Sequence, residues 1–381
     1  MSDLSQVNPS TDAGAETTSD PARSESPGIV QGQGVHQLGY RSWSGVLAPA
    51  WTRWSVISDV GVRRSWQNLW LKRLLTFAWL PALWFGIGFF LWEQAAQYSE
   101  WQQLVTPMLR SLPPTPVFDE VRHSFETGNL ADSRHTVWAW LLQSFFRYPQ
   151  AVLMVLIVGL VAPPLISQDI RSRAFLLYFS RPLTRSEYLL GKLGTLWAYL
   201  GLITAAPALI LYLMGVVLSP SLNVIAATWD LPIRIVGATI VLMLPTSALA
   251  LCLSSMTQES RYAGFSWFAI WILGWFTYGA AQSAEAFNTA QQNGFQQQDN
   301  FRNPGRDRFR GPPGFRQRPV VEMKESVWTH LSLYHTLGRV QSWVFGFSKF
   351  SEIMASMAIL IGLTAVSLAI LFYRISAPMR V

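Results

Sequence analysis

The stretch "LGTLWAYLGLITAAPALILYLMGVVL", Leu193–Leu218, indicates the class of this protein. It contains no Asp, Glu, Lys, Arg or His, and a membrane-spanning helix needs about 20 apolar residues. Of the 381 residues in the chain, 50% are hydrophobic and 13% are charged, whereas a soluble protein carries about 25% charged residues. The 18 Trp residues agree, because Trp favours membrane interfaces. The sequence therefore predicts an all-α polytopic membrane protein.

Working outward from this stretch, we find six segments that are long and apolar enough to span a bilayer. The second of them is short and carries Pro163 and Pro164, which predict a kink near its end. None of the segments contains an ionisable side chain, whereas ion-coupled carriers keep such groups inside the membrane. The six predicted spans are Leu74–Trp92, Ala151–Ser167, Leu193–Leu218, Ile235–Met256, Tyr262–Ala281 and Ile353–Tyr373.

Basic residues in the short connections predict the orientation, because cytoplasmic loops are rich in Lys and Arg. They stand before span one and after spans two, four and six, so both termini are expected in the cytoplasm. The long loop 282–351 holds several Arg residues, but long loops largely escape this rule. The predicted regions are a disordered cytoplasmic tail 1–40, a membrane-surface helix region 41–73, a transmembrane domain 74–373 with outer loops 93–150 and 282–351, and a cytoplasmic tail 374–381.

The region 41–73 interleaves Trp51, Trp54, Trp66 and Trp70 with Arg and Lys. This composition is typical of a helix that lies along the cytoplasmic membrane face. A simple anchor flanking the first span is the alternative. Either role brings the segment into contact with the lipid bilayer.

The two predicted outer loops hold three further segments. The insert 288–319 is rich in Gln, Arg and Gly and is predicted to be disordered; an RNA-binding tail is the alternative, but an outer position disfavours a nucleic-acid partner. The amphipathic segment 327–350 is expected to dip into the outer interface. The segment "TVWAWLLQSFF" predicts an interfacial helix ahead of Pro149.

The chain lacks the sequence patterns of common catalytic and metal sites. Gly191-Lys192 resembles the end of a phosphate-binding loop, but Ser186 and Leu193 replace two residues that such a loop needs. His330 and His335 have no carboxylate between them, so they do not form a zinc-protease motif. The only cysteine, Cys252, lies in an apolar run and is interpreted as a buried side chain. We therefore predict no enzyme, cofactor or metal site in this chain, and transport would need energy from another subunit.

The connection between spans two and three, Ser167–Lys192, is unusually rich in charged residues; we call it the elbow. Thr184 and Glu187 have the spacing of a capping box, which predicts a firm start for the following helix. Pro182 ends whatever precedes it. Asp169 and Arg173 would form an i,i+4 pair if Leu165–Tyr178 is helical. The elbow is thus predicted to be rigid, and a positive-inside anchor with ordinary capping is the alternative.

The elbow also resembles the signature of permease subunits of ABC-2-type ABC exporters. The residues that carry this resemblance are Asp169, Leu177, Ser180, Arg181, Pro182, Leu183, Arg185, Glu187, Tyr188, Gly191 and Lys192. In that family the corresponding loop is a coupling element that contacts an ATP-binding subunit. The resemblance implies partner contacts at Asp169, Arg173, Arg181, Pro182, Arg185 and Glu187. It also implies a second permease copy or homologue, with ATP and Mg bound by the partner subunit.

These observations together predict the permease subunit of an ATP-driven ABC-2-type exporter, located in the bacterial inner membrane. The rival interpretation is a membrane scaffold that recruits other proteins without transporting anything. A scaffold, however, does not need a rigid corner built from proline and a capping box. An intramembrane enzyme is a third interpretation, disfavoured by spans that contain no ionisable residues. The apolar spans would suit a lipidic or amphipathic cargo, although packing against lipid explains them equally well.

Overall fold

The computed structural model describes residues 49, 52–111, 116–127, 130–175, 178, 183–302, 330 and 332–376. Over these residues the chain is helical and contains no strand. The helices are α1 (Arg53–Trp66), α2 (Leu69–Phe77), α3 (Leu80–Gln97), α4 (Ser99–Ser111), α5 (Pro116–Thr127), α6 (Leu130–Phe145), α7 (Ala151–Arg171), α8 (Arg185–Ile203), α9 (Ala205–Leu218), α10 (Asn223–Thr228), α11 (Leu231–Met256), α12 (Ser260–Arg302), α13 (Leu333–Val344) and α14 (Phe350–Ser376).

Five helical stretches in the described part of the chain are long and apolar enough to cross a membrane. They are Leu69–Gln97, Ser133–Arg171, Arg185–Leu218, Asn223–Met256 and Phe350–Ser376. Five of the six predicted spans fall within them. The remaining prediction, Tyr262–Ala281, lies in α12, which is not among the five. Its several Trp and Tyr residues make it less apolar than the others, so the count of six is not confirmed.

The second span differs from its prediction at its beginning. The helix predicted to lie at the interface ahead of Pro149 is α6, which continues through a π-helical turn, Phe146–Gln150, directly into α7. Because proline has no N–H to donate, a wider turn lets the helix pass Pro149 without ending. Ser133–Arg171 is therefore one continuous apolar helical stretch, so the segment ahead of Pro149 is helical but is not a separate helix; its position at the interface stays a prediction.

The proline pair Pro163-Pro164 lies inside α7, which continues past it to Arg171, and the predicted kink stays a prediction. Ser254 on α11 contacts α7 at this pair. Its Oγ donates to the Pro163 carbonyl at 2.6 Å and accepts from the backbone N–H groups of Ile166 and Ser167 at 3.2 and 3.1 Å. A side chain from a neighbouring helix thus bonds to backbone groups of α7 at and just after the proline pair, and so ties α11 to α7 at this point.

The third predicted span consists of two helices, α8 and α9, which are separated only at Thr204. The break lies three residues before Pro207. Pro207 has no N–H to donate to the carbonyl four residues earlier, at Ile203, and its ring crowds that carbonyl, which accounts for the end of α8 at this residue. The stretch Leu193–Leu218 is therefore a membrane segment made of two helices.

Two hydrophobic clusters form the interior. The first includes Leu71, Met154, Ile157, Tyr188 and Trp267, and the second lies around Phe89, Trp138, Phe145, Leu211 and Phe345. The second cluster also takes in residues of α4 and α5, which come from the predicted outer loop 93–150.

Two predictions about the loop 282–351 differ from the structure. The helix α12 extends to Arg302, so the first residues of the insert 288–319 are helical; five of them are Gln, which favours helices, and they precede Pro304. The rest of that insert lies outside the described residues. The amphipathic segment forms α13, whose Leu337 and Val340 are buried in the first cluster rather than inserted in an interface.

Candidate coupling site

A buried ion pair forms the base of the elbow. Lys192 Nζ lies 2.7 Å from Asp169 Oδ2, and the two side chains are 9% and 5% exposed. The Tyr188 phenol donates a hydrogen bond to the same carboxylate oxygen at 2.8 Å. The two charges compensate each other in a place where either one alone would be costly. The pair connects the end of α7 to the beginning of α8 and so closes the elbow at its base.

The predicted pairing of Asp169 with Arg173 was wrong. The helix α7 ends at Arg171, and Arg173 follows with a positive φ of 54°. Residues beyond the last helical turn do not keep the i,i+4 spacing. The helix predicted over Leu165–Tyr178 is therefore interrupted, and the Asp169 carboxylate faces Lys192 and Tyr188 inside the chain.

The capping box at the start of α8 is confirmed. The Glu187 backbone N–H donates to Thr184 Oγ1 at 3.3 Å, and the Thr184 backbone N–H donates to Glu187 Oε2 at 2.7 Å. The Thr184 hydroxyl also donates to Glu187 Oε2, at 2.8 Å. These bonds satisfy backbone donors that the first turn of a helix otherwise leaves free. The Glu187 carboxylate is thus engaged in capping.

The helix α1 lies against the first turns of α8 at a very short distance. Ser58 Oγ donates to the Gly191 carbonyl at 2.8 Å, and the Tyr199 phenol donates to the Val62 carbonyl at 2.8 Å. A Cβ atom on Gly191 would lie 2.9 Å from the Trp54 carbonyl oxygen. Glycine at 191 is therefore what allows α1 to approach, and the predicted surface helix is tied to the elbow.

The elbow also contacts other connections at the same end of the bundle. Arg171 forms an ion pair with Glu259 at 3.1 Å, in the turn between α11 and α12. Arg185 donates to Ser376 Oγ at 2.6 Å, at the end of α14. We call this the elbow end. Glu259 and Ser376 belong to no motif in the sequence, and only the basic residues near each connection indicated that these ends share one side.

Tyr178 lies close to the base of the elbow. Burial and the Asp169 carboxylate raise the pKa of its phenol, whereas the Arg64 guanidinium lowers it. Arg64 itself donates to Gln168 Oε1 at 2.6 Å. Side chains from α1 and α7 thus meet beside Tyr178.

The predicted partner-contact residues have different surroundings. Arg173 and Arg185 are exposed, and Glu187 is half-buried. Asp169 is buried, so its charge serves the interior of the chain. Arg181 and Pro182 lie outside the described residues. Partner contacts at the exposed positions stay predictions.

A second set of charged residues lies at the opposite end of the bundle, which we call the far end. Glu93 is fully buried; its Oε1 accepts from Arg134 Nε at 3.0 Å and from Trp138 Nε1 at 3.1 Å. Asp230 lies 3.0 Å from His135 Nε2 and 2.6 Å from Arg234 Nε. The Glu93–Arg134 pair joins α3 to α6, and Asp230 joins the start of α11 to His135 on α6, so these pairs stabilise the far end.

Among the described residues no cluster of three or more His, Cys, Asp or Glu side chains could hold a metal ion.

Comparison with known families gives one match. A family model described as ABC-2 family transporter protein matches residues 151–377, which is more than half of the chain. Neither the curated proteins nor the solved structures provide a match. The matched range begins at α7 and includes the whole elbow. The helical, multi-span architecture and this match agree with the resemblance carried by the elbow motif, and the chain belongs to the ABC-2 family of transporter membrane proteins.

Proposed function

We propose that this chain is the permease subunit of an ATP-driven exporter and that a separate ATP-binding subunit docks on the elbow. The family match supports a permease role in a multi-pass membrane protein. ABC-2 permeases in general pair with an ATP-binding partner. The elbow is the part of this chain best built to receive one.

One observation carries this proposal: buried contacts hold the elbow in place, and its exposed surface is charged. The buried pair Asp169–Lys192 and the capping box of Thr184 and Glu187 hold its two sides. Above them, Arg171, Arg173 and Arg185 remain exposed. Guanidinium groups pair well with carboxylates on a partner surface. A force applied to these cations would pass to α7 and α8 through contacts that are already rigid.

We further infer that α12 is the sixth membrane span, despite its lower apolarity. It begins at Ser260 beside the elbow end, and its Tyr278 stacks on His335 with ring centroids 3.3 Å apart. The intervening helix rises about 27 Å, close to the roughly 30 Å thickness of a bilayer core. Along α7 it contacts Pro163, Gly159 and Val155 in turn. Six spans place both termini on one side, which we propose is the cytoplasm.

A second permease copy is part of this proposal. In an 18-residue apolar section of the first and last spans, Leu69–Gln97 and Phe350–Ser376, only 22% is buried in this chain, whereas 72% is buried in the corresponding section of Ser133–Arg171. Their free faces are available to lipid or to another permease. A pair of permeases would form the substrate path between them, since one bundle offers no closed polar path among its described helices.

The test measures how much ATP-binding subunit co-purifies with the permease in detergent. The variants are Arg185→Ala and Glu187→Gln, with Arg181→Ala as a third. Losing one partner of an interfacial charge pair costs about 2–5 kcal/mol of binding, so the retained ATPase should fall by at least about tenfold. Glu187→Gln keeps most of the cap, so permease yield should stay near that of the parent.

The matched control is Arg122→Ala, which removes a half-buried guanidinium that pairs with Asp119 on α5, away from the elbow. This variant should retain the ATPase like the parent. If all elbow variants also retain it and transport remains normal, the elbow is only a topological anchor and the scaffold interpretation gains support.

A further inference from the structure

A cavity of about 410 Å³ lies under α1, between this helix, α2 and α7. Its walls are mainly apolar and include Val56 and Val60 from α1, Leu71 from α2 and Leu160 from α7. Polar side chains also take part in the lining, among them Arg64 and Gln168, which hydrogen-bond to each other. The cavity is thus amphipathic, with an apolar interior and a polar margin.

The polar margin of this cavity continues into a second, more open depression of about 460 Å³. Arg64 and Gln168 line both spaces, and Arg171 and Ser172 complete the second one. We call this second depression the mouth. An elongated molecule could therefore occupy both spaces at once, with one part in the apolar cavity and another at the mouth.

The charges around the two spaces have one sign. The described lining residues include the cations Arg64, Arg171 and Lys192, and no Asp or Glu. Lys192 is neutralised by Asp169, and Arg171 by Glu259. Arg64 makes its hydrogen bond to the neutral amide of Gln168, and no ion pair is found for it within the described residues. The mouth therefore keeps a positive charge next to an apolar cavity.

We propose that this cavity binds one acyl chain of an anionic phospholipid whose phosphate lies at Arg64. The occupant is chosen by complementarity, because an anionic headgroup matches the mouth and a hydrocarbon chain matches the cavity. The location fits a lipid from the surrounding leaflet. Trp66 and Trp70, at the end of α1 and the start of α2, are exposed, and Trp side chains favour the headgroup level of a bilayer.

Lipid at this site would act on the elbow. The helix α1 forms one wall of the cavity and also contacts Gly191 at the start of α8. A bound chain fills the space between α1 and α7 and so holds α1 against α8. The site is therefore regulatory in character, and it shares only Arg171, which lines the mouth, with the exposed cations proposed to meet the ATPase.

The experiment uses the full-length permease without its partner, so its result does not depend on ATPase docking. The protein is purified in an uncharged detergent with equal amounts of phosphatidylglycerol and phosphatidylcholine of the same acyl composition. Native mass spectrometry then counts the lipids retained per chain. The parent should retain phosphatidylglycerol preferentially. Arg64→Gln should lower this preference about tenfold, as expected for losing a hydrogen bond to a charged group, and Arg64→Lys should restore part of it.

Arg63→Gln is the matched control, because it removes the same charge from α1 at a residue that pairs with Asp59, is 79% exposed and does not line the cavity. It should leave retention unchanged. Val60→Trp, which adds bulk at the cavity wall, should reduce retention of both lipids. An equal loss in Arg63→Gln would mean that only general surface charge attracts lipid. Unchanged retention in Val60→Trp, or displacement of the lipid by soluble glycerol phosphate, would show that no chain enters the cavity. Any of these three results overturns the proposal.

Discussion

The two ends of the bundle both contain buried ion pairs, but they build them in different ways. At the elbow end, Lys192 and Asp169 belong to one short connection, and their pair closes that connection on itself. At the far end, Glu93 and Arg134 are 41 residues apart, and His135 and Asp230 are 95 residues apart. The comparison shows that the ion pair at the base of the elbow is nearly local, whereas the charged pairs of the far end join distant helices; both ends are further held by long-range hydrogen bonds such as Arg185 to Ser376.

The largest expected effect comes from removing one charge of a buried pair. Lys192→Met leaves the Asp169 carboxylate buried without its cation, and breaking such a pair costs about 3–5 kcal/mol. Arg134→Met does the same to Glu93 at the far end. We expect both variants to lower the thermal unfolding midpoint of the purified permease. If the elbow is the coupling element, only Lys192→Met should also reduce ATPase retention per folded permease.

The control for this comparison is the double variant Asp169→Asn with Lys192→Met. Replacing both charges by neutral groups removes the uncompensated charge, so most of the lost stability should return. Equal effects of Lys192→Met and Arg134→Met on ATPase retention would remove the functional difference between the two ends.

A smaller effect is expected where α1 meets α8. Gly191→Ala places a methyl group 2.5 Å from Ile57 Cβ and 2.9 Å from the Trp54 carbonyl oxygen. Forcing an extra carbon into a packed interface costs about 1–3 kcal/mol. The expected result is a lower unfolding midpoint together with faster proteolysis in the segment that contains α1.

Gly201→Ala is the matched control, because it lies on the same helix and nothing is within 4 Å of the added methyl group. This substitution should be neutral or slightly stabilising, since alanine favours helices over glycine. If Gly191→Ala were also neutral, the close approach of α1 would not contribute to the stability of the elbow.

The smallest expected effect is a pH dependence on α13, which leads to the far end. Burial, together with the positive charges of Arg147 and Arg339, lowers the pKa of His335 to about 4. Its ring also contacts Tyr278, Tyr334 and Ser332. In the unfolded chain the pKa of His is about 6.5, so the unfolded state binds the proton first as the pH falls. Stability should therefore be complete above about pH 6.5 and decrease towards about pH 4.

Thermal unfolding of the parent and of His335→Asn across this range measures the effect. As the pH falls, the unfolding midpoint of the variant should decrease less than that of the parent. ATPase retention at neutral pH should be the same for both proteins. An identical pH profile in both proteins would contradict the assigned role of His335.

The sequence predicted the elbow better than the rest of the site. The capping box followed from four adjacent residues, Thr184–Glu187, because its hydrogen bonds join groups within one helical turn. The partner of Asp169 was predicted incorrectly as Arg173. The motif did contain the true partner, Lys192, but its contact requires α7 and α8 to pack side by side, which residue spacing alone does not show. The other contacts of the elbow involve residues from separate parts of the chain that form no sequence motif. They are Arg64 in α1, Glu259 between α11 and α12, and Ser376 at the end of α14.

The sequence by itself determined that this protein is a helical membrane protein with an ABC-2 elbow. The length of an apolar run and the spacing of a capping box are both properties of a continuous stretch of sequence, so they can be interpreted without knowing the fold. Only the tertiary structure decided that Ser254 bonds to α7 beside its proline pair, that α1 packs against Gly191, and that Glu93 and Arg134 form a buried pair at the far end. Each of these contacts depends on how distant helices pack, because a buried polar or crowded group takes its partner from whichever helix the packing brings within reach.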